Sequence, residues 1–130
     1  MREKSILLAG NWKMNHGPIA TDAFLKQLQI QTKPNAKMRL YVPYVSLTTA
    51  VAVIKSRSLA LEIGAQNVHF EKSGAFTGEI SAPMLKEIGI DQVLIGHSER
   101  RQYFNETDET VLKRTKSALE QGLEVLVCIG

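Results

Sequence analysis

Two short polar runs in this 130-residue chain stand where chemistry could be done. Asn11-Trp12-Lys13-Met14-Asn15 follows directly on the apolar Ile6-Leu7-Leu8-Ala9-Gly10, and His97-Ser98-Glu99-Arg100-Arg101 follows directly on Val93-Leu94-Ile95-Gly96. Hydrophobic burial favours none of these polar residues, so each strand end reads as a place that presents polar groups. Strand C-termini are where α/β folds put ligand sites. A third cluster, Gln66-Asn67-Val68-His69, follows the apolar stretch ending at Ala65. Brought together, the runs would offer a fixed cation in Lys13, neutral donors in Asn11 and His97, and an acid in Glu99. Such a set suits an anionic, oxygen-rich small molecule on which negative charge develops during reaction. Each residue also has a plainer reading: a charged surface turn, a Lys–Glu ion pair, a hydrogen-bonded structural histidine. His16 and His69 have weaker contexts and read as structural or loop residues.

Other chemistries find little support. Cys128 is the single cysteine and sits in an apolar run, so it cannot form an internal disulfide and reads as a buried thiol rather than a nucleophile. One Cys and three dispersed His do not make a structural zinc site, and no metal or other cofactor is expected. Neither GxGxxG after the first strand nor GxxxxGK[ST] occurs. The net charge of +3 is carried by Lys and Arg scattered among acids, without aromatic interleaving, which argues against a nucleic-acid surface. Met1-Arg2-Glu3-Lys4 leads into only five or six apolar residues, too few for a signal-peptide core or a membrane span. A reducing cytoplasm is the expected location, and the Asn105-Glu106-Thr107 sequon reads as chance.

The elements that must position these residues alternate in type. Strands are expected at Ser5–Gly10, Arg39–Val42, Ala60–Ala65, Gln92–Gly96 and Leu123–Ile129, their apolar residues mostly continuous rather than alternating, as in parallel strands covered on both faces. Helices are expected at about Ile19–Leu28, along the face of Leu47, Ala50, Val51 and Ile54, from a Ser81 N-cap with Pro83 in the first turn, and along Val111, Thr115, Ala118 and Leu119, with Leu112 beside them. Glu106, Asp108 and Glu109 near the start of the last helix, and Lys113, Arg114 and Lys116 further on, suit its dipole; Gly122 stands where a C′ glycine belongs. Five strands and four helices in βα order mean a mainly parallel sheet with right-handed crossovers. Composition, 44% hydrophobic and 22% charged, fits one soluble domain with no linker dividing it. Periodicity alone leaves open a doubly wound domain or part of a (β/α)8 barrel. The stretch Phe70–Ile80 is long for a βα connection, and Phe76 between two glycines either inserts into a partner or folds back on its own domain.

Five segments, taken with their order and spacing, resemble triosephosphate isomerase: Ala9–Asn15, Gly64–Asn67, Ser73–Ser81, Ile95–Arg101 and Val127–Gly130. The resemblance covers the whole chain and implies the first half of a (β/α)8 TIM barrel, residues 1–130 being the N-terminal half of one domain that runs through strand five. It implies interconversion of dihydroxyacetone phosphate and glyceraldehyde 3-phosphate through an enediolate. Asn11 and Lys13 would bind substrate, Lys13 supplying positive charge, and His97 would be the electrophile on the substrate oxygens. Glu99 would pair with Lys13, Ser98 would hold the catalytic base when the site is open, and Cys128 would pack beside that base. Phe76 and Thr77 would form the dimer loop entering a second subunit of a homodimer. The family's glutamate base, lid and glycine-rich phosphate site follow strands six to eight, so the 130-residue chain alone is expected to be inactive. With strands one and five lacking neighbours, it is also expected to self-associate.

Overall fold

The computed structural model describes residues 4–31 and 33–130; part of the Met1–Lys4 run weighed as a leader lies outside it. The first apolar run forms strand β1, Ile6–Asn11, which pairs in parallel with β2, Ala36–Val42, in a register that sets Ile6 against Ala36 and Asn11 against Tyr41. β3 (Glu62–Ala65), β4 (Gln92–Ile95) and β5 (Glu124–Val127) complete a sheet with the order β1-β2-β3-β4-β5. β4 and β5 pair in parallel, Gln92 against Glu124 and Ile95 against Val127. Strict sequential order with a helix in every crossover is the barrel pattern; a doubly wound sheet would reverse its order at a switch point. The continuous apolar pattern of β1 does not correspond to two covered faces: Ile6, Leu7 and Leu8 remain 47%, 38% and 55% exposed.

The chain divides into two compact units, one up to Gly64 and one from Ala65 onward. In the first, helix α1 (Pro18–Gln27) packs against α2 (Leu47–Arg57), which follows a single 3-10 turn, Tyr44–Ser46. Leu25, Leu47, Ala50, Tyr41 and Val42 are buried between these elements. Arg57 Nη1 donates to the carbonyls of Leu25 (2.5 Å) and Leu28 (2.7 Å), satisfying acceptors that the end of α1 would otherwise leave open. Arg39 is a buried charge in mid-strand; its Nη2 donates to Glu62 Oε1 at 2.9 Å and its Nη1 to the Tyr41 hydroxyl at 3.2 Å.

The second unit holds three helices where the periodicity predicts two. α3 (Ala82–Glu87) begins as expected, with Ser81 Oγ accepting from the Met84 N–H. The extra helix is α4, Ser98–Tyr103, capped by His97. Six residues carry too little apolar period to reveal a helix, and none of the six is buried. α5 (Asp108–Glu120) turns Val111, Arg114 and Ala118 inward, whereas Leu119, predicted on that face, and Leu112, predicted beside it, are 58% and 57% exposed. Glu106 lies outside the helix and is buried, so it is no dipole residue; Asp108 and Glu109 occupy the first turn. Gly122 does follow the C-terminus, at φ +80°, and the Leu123 N–H closes onto the Ala118 carbonyl at 2.9 Å. At the other end Thr107 and Thr110 cap each other reciprocally. Thr107→Ala is therefore expected to lower stability by about 1 kcal/mol, read as a lower urea midpoint at unchanged slope.

Candidate active site

At the end of β1 the backbone turns sharply. The Trp12 N–H still bonds the Tyr41 carbonyl at 3.0 Å, as an extension of the β1–β2 ladder. Lys13 then takes a left-handed conformation, φ +56°, and His16 does the same at φ +71°. Neither is glycine, and left-handed non-glycine residues persist where surrounding contacts hold them. Here the holding contacts are visible. Asn11 Oδ1 accepts the Lys13 N–H at 2.9 Å, Asn15 Nδ2 donates to the Trp12 carbonyl at 2.8 Å, and Ser46 Oγ donates to the His16 carbonyl at 2.8 Å. Trp12 lies edge-on between His16 and Phe24, with ring centroids 4.6 and 5.3 Å away. Asn11 thus fixes the turn that aims Lys13, in addition to whatever its own amide donates.

At the end of β4 the turn depends on Gly96. Its φ is +74°, and a Cβ there would lie 3.0 Å from Val111 Cγ2, 3.1 Å from Arg101 Nη2 and 3.1 Å from the Cys128 carbonyl. Any side chain would be both strained and crowded. His97 follows in extended conformation as the N-cap of α4, its carbonyl accepting from the N–H groups of Arg100 and Arg101. The imidazole is oriented by its own helix: Nδ1 accepts the Glu99 backbone N–H at 3.2 Å. A backbone N–H can donate only to an unprotonated nitrogen, so the proton of the neutral ring sits on Nε2. His97 is thereby set up as an Nε2–H donor. The carboxylate of Glu99 lies 3.5 Å from the same Nδ1.

Arg101 fastens this end of the unit together. Its Nε donates to the Gly96 carbonyl at 2.9 Å, Nη2 to the Cys128 carbonyl at 3.1 Å and Nη1 to Asp108 at 2.6 Å. The Cys128 N–H continues the β4–β5 ladder onto the Ile95 carbonyl at 2.9 Å. Burial pushes the Cys128 thiol up in pKa, with the positive charge of Arg101 acting the other way, so the thiol is the resting form. Ser98 is exposed on the first turn of α4.

A buried charge cluster lies behind these residues. The Arg114 side chain is 9% exposed; its Nη1 donates to the Val68 carbonyl at 2.7 Å and to Asn67 Oδ1 at 3.2 Å. Its Nε lies 3.3 Å from Glu106 Oε1, an ion-pair contact off the line of a hydrogen bond, while the other Glu106 oxygen accepts from Arg100 Nε. Sequence reading misses Arg114 and Glu106 as buried partners, because a helix dipole accounts for both charges without requiring burial. With Arg101, Asp108, Glu109 and Lys113 close by, nothing in the sequence singles out Arg100, Glu106 and Arg114.

The Phe70–Ile80 loop is closed at its base by the His69 N–H on the Ile80 carbonyl, 2.8 Å. Phe76 folds back onto its own unit: its ring centroid lies 4.4 Å from that of His69, which Phe70 meets at 4.3 Å. Phe76 is still 41% exposed, and Thr77 beside it is exposed. His69 is buried, with Glu79 Oε2 3.9 Å from Nδ1.

Sequential βα units with polar residues at the strand C-termini define the first half of a (β/α)8 barrel. The family model of triosephosphate isomerase matches residues 6–130, and the chain belongs to that family. The triosephosphate isomerase of Solibacter usitatus is 49% identical over 126 residues, covering 95% of this chain and 50% of the relative. That of Alkaliphilus metalliredigens is 50% identical over 125 residues, with 95% and 50% covered. That of Acetivibrio thermocellus is 44% identical over 128 residues, with 98% and 50% covered. The chain spans about half the length of the curated relatives it matches.

Proposed function

We propose that this chain supplies the electrophilic half of an aldose–ketose isomerase that interconverts dihydroxyacetone phosphate and D-glyceraldehyde 3-phosphate, in glycolysis and gluconeogenesis in the cytoplasm. The observation that carries the proposal is the His97 hydrogen bond: Nδ1 is occupied by the Glu99 N–H, so Nε2–H is the ring's donor. A proton is taken from the carbon next to the substrate carbonyl, and the electron pair moves onto the carbonyl oxygen. A neutral donor at that oxygen stabilises the developing enediolate, and Lys13 adds a fixed positive charge toward it and toward the phosphate. Asn11 binds substrate and holds the turn that presents Lys13. Glu99 balances the Lys13 charge, Ser98 holds the base in the open site, and Cys128 packs beside it. No cofactor enters these steps. Residues 1–130 act as the N-terminal half of a single barrel domain, and the enzyme works as a homodimer in which the loop of Phe76 and Thr77 enters the second subunit.

The base, in this reading a glutamate following strand six, belongs to the half of the relatives that this chain does not span. The 130-residue polypeptide made by itself is expected to isomerise triose phosphate at the uncatalysed rate. Mixing it with a polypeptide spanning the second half of a close relative is expected to produce turnover that neither piece has alone. The measurement is a coupled assay of each piece and of the mixture. Turnover by the isolated chain would mean that a base within it, with Glu99 the first suspect, carries the proton. A mixture that forms a stable complex yet stays inactive would refute the proposed function.

A further inference from the structure

The second unit contains two polar clusters that the proposed reaction would use or rest on: the chain after β3, which opens the Phe70–Ile80 loop, and the turn after β4, which carries His97. One buried side chain reaches toward both. On one side Arg114 Nη1 holds the Val68 carbonyl at 2.7 Å and Asn67 Oδ1 at 3.2 Å, and lies 3.9 Å from Glu79 Oε2 near the far end of the same loop. On the other side Arg114 Nε faces Glu106 Oε1 at 3.3 Å. Glu106 in turn holds Arg100 Nε, and its own N–H bonds the Arg100 carbonyl at 3.3 Å. The Arg100 N–H closes on the His97 carbonyl at 2.9 Å. Asn67, Glu106 and Arg114 are 6%, 7% and 7% exposed, so water has little access to their polar groups.

Charge and geometry explain why an arginine is needed. Glu106 sits between two guanidinium groups, and its charge requires both positions to stay where they are. The fork of Arg114 sends Nη1 to a backbone carbonyl while Nε remains beside the carboxylate. A lysine ammonium radiates its donors from a single atom and can serve one side or the other.

We propose that Arg114 is a positioning residue for the isomerase reaction, holding the start of the Phe70–Ile80 loop and, through Glu106 and Arg100, the helix that His97 caps. The inference rests on the function proposed above for the meaning of that positioning, but its test does not. Amide hydrogen exchange by mass spectrometry is read on the chain itself for Arg114→Met, Arg114→Lys and Glu106→Gln. Arg114→Met is expected to raise exchange about tenfold or more in both residues 66–80 and residues 97–106, while β5 and α3 keep their protection. Glu106→Gln is expected to loosen 97–106 alone. Arg114→Lys, which keeps a charge beside Glu106, is expected to loosen 66–80 more than 97–106. If Arg114→Met loses protection everywhere, the other two variants decide by the same pattern. No change in any variant, a uniform rise across 65–130 in all three, or a rise in only one segment for Arg114→Met would overturn the proposal. In an assembly that turns over substrate, Arg114→Lys is also expected to lower kcat about tenfold at nearly unchanged KM, because a displaced electrophile costs rate rather than ground-state binding.

Discussion

Replacing His97 by alanine in an active assembly containing this chain is expected to lower kcat by about 10²–10⁴-fold while KM changes little. In the proposed role the ring donates to an oxygen that becomes charged only as the reaction proceeds, so its loss is expected to be felt in the transition state more than in substrate binding. In the proposed reaction the phosphate is bound by groups other than His97, so KM is expected to stay near its starting value. His97→Gln retains an N–H donor of similar reach and is expected to recover part of the loss. Equal loss in KM and kcat/KM at constant kcat would instead make His97 a binding residue.

The largest stability effect is expected at Glu106. Its side chain is 4% exposed and lies against Arg114, 9% exposed, and Arg100, 28% exposed. Glu106→Leu leaves two cations facing each other in a poorly solvated region, and breaking a buried pair in this way costs about 3–5 kcal/mol. Thermal unfolding is expected to shift down by on the order of 10 °C or more. Replacing Glu106 and Arg114 together by Leu and Met removes the buried carboxylate and one of the guanidiniums it faces, and is expected to cost less than the sum of the single changes. Additive losses would mean that the two side chains act independently, against the 3.3 Å contact between them.

Much of the architecture is legible in the sequence, for physical reasons that can be traced residue by residue. Strand ends are expected near residues 10, 42, 65, 96 and 129; the first four strands end within a residue of their marks, and β5 stops at Val127, two residues early. Ser81 before Pro83, and Gly122 after α5, act through local backbone chemistry that needs no tertiary context. Most of the misses depend on distant partners; α4 is missed because it is short. Arg39 and Arg114 look like surface charges until Glu62, Asn67 and Glu106 are placed against them from 23, 47 and 8 positions away in the chain. Gly96 reads as the last strand residue, yet it is the left-handed hinge that turns the chain toward His97. α4 is too short for a periodicity and is specified by the cap that His97 provides to the Glu99 N–H. Phe76 could turn outward or inward on sequence grounds, and its ring packs inward on His69.

The electrophilic role of His97 depends on which of its ring nitrogens carries the proton, and that can be measured without any assay. Long-range ¹H–¹⁵N correlation spectra of the chain, with His97 assigned by comparison with His97→Gln, distinguish protonated from unprotonated ring nitrogens. At a pH where the ring is neutral, Nε2 is expected to carry the proton and Nδ1 to show the shift of an unprotonated nitrogen accepting the Glu99 N–H. A proton on Nδ1, shared with the Glu99 carboxylate 3.5 Å away, would leave Nε2 an acceptor and contradict the assignment of His97 as the electrophile.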